Sequence, residues 1–132
     1  MNYLLDTHTL LWDLINTKKL STQVKKILSN PESGIFISTI SLWEISLKYR
    51  IGKLELEGKN PDEIPGAAKA SGFNILTMDE DVAATFFRFP ISKNQDPFDL
   101  MLAWQAISKD FVLLTKDPEF KSYNKYGLKI IW

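Results

Sequence analysis

Short apolar runs alternate along the chain with segments in which apolar side chains recur every three to four residues. The apolar runs predict about five short strands, at Asn2–Leu5, Ile35–Ile37, Asn74–Thr77, Phe111–Leu114 and Leu128–Ile131. The periodic segments predict helices at Thr7–Ile15, Ser21–Ser29, Ile40–Arg50, Asp62–Ala70, Asp79–Phe87 and Pro97–Lys109. Strands that are apolar throughout and alternate with helices are typical of a parallel sheet covered on both faces. The predicted class is therefore α/β.

Polar residues and prolines mark the helix ends and the connecting segments. Ser38 or Thr39 can cap the helix that runs to about Arg50, and Asp96 is the predicted cap of the helix that Pro97 opens. The polar segment 53–60 is predicted to be the longest loop. Segment 89–95, which contains a proline, is also predicted to be a loop.

The length and composition indicate a single folded domain over residues 1–132. Of these 132 residues, 45% are hydrophobic and 24% are charged, which supplies a core and excludes a disordered chain. Cys is absent, which excludes disulfide frameworks, thiolate zinc sites and cysteine nucleophiles. The 16 basic residues balance the 16 acidic ones, so a polyanion would have to bind through a local patch.

Neither a membrane segment nor a secretion signal is visible in the sequence. The longest uncharged run, residues 33–43, is far shorter than the roughly 20 residues that span a bilayer. The first residues lack the basic stretch and long apolar segment of a secretion signal. We therefore expect a cytoplasmic protein without membrane association.

Two acidic residues follow predicted strands directly. Asp6 comes after the first strand, and Asp117 follows the segment Phe111–Lys116. In an open α/β sheet, ligands bind outside the carboxyl ends of the strands, so both side chains are candidates for a site. The alternative for each is a structural role as a helix cap, in front of Thr7 and Pro118 respectively.

Glu44 is placed unusually for a carboxylate. The apolar positions Ile40, Trp43, Leu47 and Ile51 form a stripe that passes close to position 44, which predicts Glu44 on or beside a buried helix face. A buried carboxylate is costly unless it is paired or bound to a metal. The alternative is a surface ion pair with Lys48, one helical turn away.

Asp99 presents the same problem on the last helix. It heads the stripe formed by Leu102, Ala103 and Ala106, so its side chain is predicted on the core-facing side. The alternative role is a capping box with Asp96. Asp96 itself is interpreted first as a cap and only second as part of a site.

Asp6, Glu44, Asp99 and Asp117 together would repel one another at one edge of the sheet unless a cation lay among them. Oxygen ligands, without Cys and with a single His, favour Mg²⁺ or Mn²⁺. Such an ion polarises a phosphoryl oxygen and lowers the pKa of bound water. The four carboxylates therefore predict phosphodiester hydrolysis.

Other chemical signals are weaker. His8, near Asp6, is interpreted as a packing or capping residue and receives no chemical role. Lys48, Arg50 and Lys53 form a basic cluster that can contact phosphates, or simply a solvated helix end. Glycine-rich phosphate loops, the Gly-x-Ser-x-Gly elbow and zinc-ligand spacings are absent from the sequence.

The segments Leu4-Leu5-Asp6-Thr7-His8, Ile37-Ser38-Thr39-Ile40-Ser41-Leu42-Trp43-Glu44-Ile45, Asp96-Pro97-Phe98-Asp99 and Leu114-Thr115-Lys116-Asp117 resemble a PIN domain. More narrowly, they resemble the VapC-type toxins of bacterial type II toxin-antitoxin pairs. The resemblance spans nearly the whole chain and implies a three-layer fold with a central parallel sheet.

The resemblance also implies a function and a set of site residues. The acidic positions of the family correspond to Asp6, Glu44, Asp99 and Asp117, with Thr115 near the last of them and Asp96 and Thr7 as supporting residues. The implied activity is that of an Mg²⁺- or Mn²⁺-dependent ribonuclease silenced by a cognate antitoxin. Two positions depart from the pattern of this branch, which usually has His at the position of Asn94 and Arg at that of Leu100. These departures bear on substrate contacts or local pairing and leave the acidic residues in place.

Two other functions compete with the toxin ribonuclease. A receiver-type signalling domain also has Asp after its first strand, but it needs an adjacent acidic pair, and position 7 is Thr. A catalytically weak PIN-like binding module is the second alternative. For the toxin we predict a homodimer that buries some of the tryptophans, and an antitoxin segment in an apolar groove near the first helices.

Overall fold

The computed structural model describes residues 1–91 and 96–132, and it contains a parallel sheet of five strands. The strands are β1 (Asn2–Leu5), β2 (Gly34–Ser38), β3 (Asn74–Leu76), β4 (Val112–Leu114) and β5 (Lys129–Ile131). Their order across the sheet is β3-β2-β1-β4-β5, and every neighbouring pair is parallel. The predicted α/β class and central parallel sheet are confirmed.

Six α-helices connect and cover these strands within the described residues: α1 (Thr7–Ile15), α2 (Thr22–Ser29), α3 (Thr39–Arg50), α4 (Ile64–Ala70), α5 (Glu80–Thr85) and α6 (Pro97–Lys109). Four 3-10 segments supplement them, at Thr17–Lys19, Pro61–Glu63, Phe86–Arg88 and Pro118–Tyr126. Ser38, one of the two predicted caps, accepts a hydrogen bond from the backbone N–H of Ile40, and Asp96 caps α6 as predicted.

Alternate residues of each strand pack into two separate cores, one on each face of the sheet. In β1, Leu5 contributes to the core that α1, α2 and α4 cover, and Leu4 contributes to the core beneath α6. In β4, Leu114 and Leu113 divide in the same way. Helices therefore cover both faces, as predicted, and the strand ends emerge between the two layers.

The strand order decides against the receiver-type alternative. Receiver domains have the order 2-1-3-4-5, whereas here β1 lies between β2 and β4. After β1 the chain adds β2 and β3 on one side of β1, and it then reverses direction across the sheet to add β4 and β5 on the other side. The crevice that such a reversal creates lies at the carboxyl ends of β1 and β4, where a ligand site is expected.

The prediction that the apolar stripe of α3 is buried is wrong for Trp43, Leu47 and Ile51. Trp43 and Ile51 are 60% and 53% exposed, and Leu47 is also exposed. The buried residues of α3 are Ser41, Glu44 and Ile45. Glu44 is therefore buried as predicted, but by a neighbouring face that carries polar side chains, which the hydrophobic pattern alone did not reveal.

Smaller differences concern the ends of elements. The predicted helix at 62–70 begins as a 3-10 turn, and the predicted helix at 79–87 is α-helical only over Glu80–Thr85. The segment 53–60 lacks regular structure, but Leu56 within it is buried in the core below α1. Position Asn94 and the end of the predicted loop 89–95 lie outside the described residues.

Among the helices of the described residues, none is long and apolar enough to cross a bilayer.

Candidate metal and nuclease site

Asp6 lies at the carboxyl end of β1, in the crevice between β1 and β4. Its backbone N–H donates to the carbonyl of Leu114 (3.1 Å), which holds the two strand ends side by side. The side chain is only 4% exposed and makes no capping hydrogen bond to α1. Instead its Oδ2 accepts a hydrogen bond from the Thr115 hydroxyl (2.8 Å). The carboxylate thus points into the crevice, and the capping alternative does not account for it.

Thr115 also connects Asp6 to Asp117. The backbone N–H of Asp117 donates to the Thr115 hydroxyl oxygen (3.1 Å), and Asp117 Oδ1 accepts from the backbone N–H of Glu119 (2.9 Å). Asp117 therefore does cap the 3-10 segment Pro118–Tyr126, as the structural alternative held. Its position at the end of β4 nevertheless places its charge beside the crevice.

Glu44 faces the same crevice from α3 and is only 3% exposed. Its Oε2 accepts a hydrogen bond from Lys48 Nζ (2.5 Å), so the (i, i+4) pair considered as an alternative is present. Its Oε1 is buried without a hydrogen-bond partner among the residues that the structure describes. A buried carboxylate oxygen is costly to leave unsatisfied. The ion pair with Lys48 satisfies Oε2 of Glu44 but does not account for the burial of Oε1.

Asp99 enters the crevice from the first turn of α6. Asp96, exposed at the start of this helix, accepts from the backbone N–H groups of Phe98 and Asp99 and is the cap. Burial of Asp99 raises its pKa to about 7, and the charges that add to this rise belong to Asp6, Asp96, Glu44 and Asp117. The charges of four other carboxylates therefore act on Asp99, three of them from other elements and one from the cap of its own helix.

Asp6 experiences the same environment. Burial raises its pKa, the hydrogen bond from Thr115 and the nearby His8 oppose the rise, and the charge of Glu44 adds to it. Burial and, to a smaller extent, neighbouring negative charge therefore raise the pKa values of both carboxyls, and a bound cation would favour their ionised forms.

Lys48 supplies part of the missing positive charge. Burial alone would lower its pKa, but the hydrogen bond and charge of Glu44, with Asp96 and Asp99 adding to them, raise it overall. The predicted basic cluster is therefore divided: Lys48 belongs to the acidic crevice, whereas Arg50 and Lys53 are exposed.

Two hydroxyl groups join α1 to α3 beneath the crevice. Thr7 Oγ1 donates to Ser41 Oγ (2.9 Å), and both residues are buried. Thr7 was predicted to support the site, whereas Ser41 was not singled out. Its spacing of one helical turn before Glu44 was the available signal, because residues three apart share a helix face.

The residues suit a hard cation by their chemistry. They offer carboxylate oxygens, one of which is buried without a partner among the described residues, and neighbouring negative charges. Within residues 1–91 and 96–132, however, no three acidic or histidine side chains already form a group that could hold a metal ion. The centre is thus a set of suitable donors and not a preformed cage.

Two cavities lie beside the carboxylates and share the side chains of His8 and Trp12. The first, which we call the site cavity, has a volume of about 370 Å³ and is lined by Asp6, His8, Trp12, Lys116, Asp117 and Pro118. The second, which we call the helix cavity, has a volume of about 530 Å³ and lies between α1, α3 and the segment after α3. His8, which received no role from the sequence, thus lines both cavities.

Comparison with known proteins identifies the family. The model of the PIN domain matches residues 3–126, and the chain therefore belongs to the PIN domain family. No curated protein matches the chain.

Solved structures share the same fold. VapBC2 from Rickettsia felis, bound to a DNA fragment from its promoter, superposes with a TM-score of 0.70 at 19% identity, over 99% of this chain and 98% of that one. VapBC-1 from nontypeable Haemophilus influenzae gives 0.69 at 19% identity, over 99% and 97%. FitAcB from Neisseria gonorrhoeae gives 0.64 at 20% identity, over 98% and 96%. At these identities the likeness shows the fold.

Proposed function

We propose that this protein is a metal-dependent endoribonuclease and the toxin of a toxin-antitoxin pair. Its membership in the PIN family supports a nuclease-type role. The observation that carries the proposal is Glu44, a buried carboxylate whose Oε1 has no partner in the described part of the chain. It lies close to Asp99, whose pKa is raised to about 7 by burial and by the neighbouring carboxylates. A purely structural cluster would gain nothing from this arrangement.

In this proposal Asp6, Glu44, Asp99 and Asp117 hold Mg²⁺ or Mn²⁺. The bound ion would supply Lewis-acid polarisation of a phosphoryl oxygen and a water of lowered pKa. Thr115 fixes the orientation of the Asp6 carboxylate through its hydrogen bond, and Asp96 fixes the first turn of α6 and with it Asp99. Thr7 and Ser41 hold α1 against α3, which sets the separation of Asp6 and Glu44.

The protonation of Asp99 and the positive charge of Lys48 both lower the negative charge of the proposed centre. Because its pKa is about 7, Asp99 is partly protonated near neutral pH, so it must lose a proton to become a ligand. Lys48 neutralises one oxygen of Glu44 and leaves the other available to a cation. Both features reduce the repulsion among the carboxylates when no ion is bound.

The role as a toxin draws on the proteins that share the fold. Several of them are described as VapBC or FitAB assemblies, and another is described as a toxin-antitoxin complex from Klebsiella pneumoniae. We propose a cognate antitoxin as partner, RNA as substrate and a homodimer as the assembly. The antitoxin segment is expected in an apolar groove near the first helices.

The decisive experiment compares RNA cleavage by the wild-type protein and by Glu44→Gln. Wild type should cleave single-stranded RNA with Mg²⁺ or Mn²⁺ and not with EDTA. Glu44→Gln should lose on the order of 100-fold or more in rate, since it removes a charge from the centre. Glu32→Gln, which changes an exposed glutamate in a turn, is the matched control and should retain full activity. Cleavage by Glu44→Gln at the wild-type rate would reject the mechanism.

The second candidate, a catalytically weak PIN-like binding module, is favoured by one observation. Lys48 already occupies one oxygen of Glu44, as a permanent structural countercharge would. For such a module, divalent ions would leave the melting temperature unchanged and no RNA would be cleaved, while a partner would still bind. Thermal unfolding with and without Mg²⁺ separates the two candidates.

A further inference from the structure

The carboxylates of the proposed centre repel a phosphate backbone, so the groups that hold a substrate have to lie beside them. The helix cavity and the site cavity occupy this position. The site cavity contains Asp6 and Asp117, and the helix cavity reaches Thr7 and Lys48, which neighbour Asp6 and Glu44. The two cavities therefore flank the crevice, with His8 and Trp12 forming a wall common to both.

The wall shared by the two cavities is aromatic, and Trp132 packs against it. The rings of His8 and Trp12 lie 5.9 Å apart between centroids, and Trp12 packs edge-on against Trp132 at 5.6 Å. Trp12 is half-buried, whereas His8 is exposed. A tryptophan ring fixed on one side and open to a cavity on the other is suited to stack with a flat ligand.

On the side of this wall that faces the helix cavity, the charges are mainly positive. Three lysines, Lys19, Lys48 and Lys53, line the helix cavity with one glutamate, Glu57. Lys48 is engaged by Glu44, but Lys19 and Lys53 are exposed, and Lys19 Nζ lies 5.8 Å from the centre of the Trp12 ring. In a chain of zero net charge, this lining is a local feature. It supplies the patch that a polyanion requires.

We propose that the helix cavity is a subsite for one nucleotide of single-stranded RNA, next to the bond that is cleaved. One base stacks on Trp12 and His8, and the adjoining phosphates contact Lys19 and Lys53. An acidic peptide would satisfy the lysines but would leave the flat aromatic wall unused. The inference rests on the proposed ribonuclease function, since that function makes RNA the polyanion that reaches the neighbouring carboxylates.

The test measures RNA binding separately from cleavage. A fluorescently labelled single-stranded RNA of about 12 nucleotides, within the range that such sites cover, is titrated with the full-length protein in EDTA. Trp12→Leu, which keeps an apolar side chain but removes the stacking surface, should weaken binding about 5- to 100-fold. Trp12→Phe should restore most of the affinity. Phe87→Leu removes an exposed aromatic ring outside both cavities and should bind as wild type does.

The lysines are tested by the dependence of binding on salt. The double variant Lys19→Ala/Lys53→Ala should lower the slope of log affinity against log salt by about 1.4, since each phosphate contact on a single strand contributes about 0.7. The pair Lys25→Ala/Lys26→Ala removes the same charge from α2, outside both cavities, and should leave the slope unchanged.

The outcomes separate this inference from the proposed function. If Trp12→Leu loses RNA binding but wild type with Mg²⁺ cleaves nothing, the subsite is supported and the ribonuclease is rejected. If wild type cleaves RNA and Trp12→Leu binds and cleaves equally well, the subsite is rejected and the ribonuclease stands. Absence of RNA binding by wild type rejects the subsite, as does a Trp12→Leu protein that loses only its protein partner.

Discussion

The hydroxyl of Thr115 donates a hydrogen bond of 2.8 Å to the carboxylate of Asp6 and accepts one of 3.1 Å from the backbone N–H of Asp117. These two bonds connect the ends of the two central strands, which are 109 residues apart in sequence. A single buried hydroxyl therefore orients one carboxylate and positions the residue that carries another.

The first prediction concerns this hydroxyl. Thr115→Val keeps the shape of the side chain but leaves Asp6 without its donor, so the free energy of unfolding should fall by about 1–3 kcal/mol. Nuclease activity should fall with it, because the Asp6 carboxylate loses its orientation. Thr115→Ser, which retains the hydroxyl, should recover most of the activity. Urea unfolding and RNA cleavage measure the two effects, and a fully active Thr115→Val would contradict the assigned role.

The second prediction concerns stability and pH in the absence of divalent ions. The pKa of Asp99 is about 7 in the folded protein against 3.8 for an ordinary Asp, so between these values the folded state holds a proton that the unfolded state has lost. Stability attributable to Asp99 should therefore fall as pH rises from about 4 to about 7 and then level off. Asp99→Asn should remove this component and be more stable than wild type at pH 8. Thermal unfolding across this pH range tests it, and parallel profiles for the two proteins would refute it.

The third prediction concerns the response to Mg²⁺ or Mn²⁺. An ion that binds only the folded protein raises the melting temperature, by more at pH 8 than at pH 6 because Asp99 must release its proton first. Asp6→Asn should blunt the rise at both pH values. Asp62→Asn, at an exposed position in the 3-10 turn before α4, should respond as wild type does. An equal rise in the Asp6→Asn protein would separate this residue from the ion.

Most strands and helices could be predicted from the sequence, but the buried face of α3 only in part. Strands with uninterrupted apolar residues and helices with clear caps, such as Asp96 before Pro97, were predicted closely, because local propensity and burial agree there. On α3 the burial of Glu44 was predicted, but the burial of Ser41 and the exposure of Trp43 were not, because the buried face combines Ser41 and Glu44 with Ile45. Hydrophobic periodicity fails where polar side chains are buried and apolar side chains are exposed.

The candidate site followed from the sequence only in part. Asp6 and Asp117 could be placed at strand ends by the rule for parallel sheets, but their connection through Thr115 depends on the neighbouring order of β1 and β4. His8 and Trp12 share a face of α1 through their spacing of four residues, but the helix cavity that they line depends on how α1 packs beside α3. Contacts between segments that are distant in sequence could not be predicted from local sequence patterns.

The fourth prediction concerns assembly. Trp43 is 60% exposed, and Leu47 and Ile51 extend the apolar surface along α3. Exposed aromatic residues of this kind are typical anchors of protein interfaces, so we expect the predicted homodimer to use this stripe. Trp43→Glu should convert the dimer to a monomer without lowering the melting temperature of the protomer markedly. Light scattering at micromolar concentration measures the mass, and a wild-type monomer would contradict the prediction.

The last prediction concerns Lys48 and uses the ion as a reporter. In the protein without divalent ions, Lys48→Met keeps most of the side-chain volume but leaves Glu44 as a buried, unpaired carboxylate, so the melting temperature should fall. Added Mg²⁺ should then raise it by more than in wild type, because the ion replaces a countercharge that is otherwise present. Lys26→Met on α2 removes an exposed lysine and should match wild type in both conditions. If Lys48→Met were destabilised but responded to Mg²⁺ no more than wild type, Glu44 would be a structural partner of Lys48 and would have no part in binding the ion.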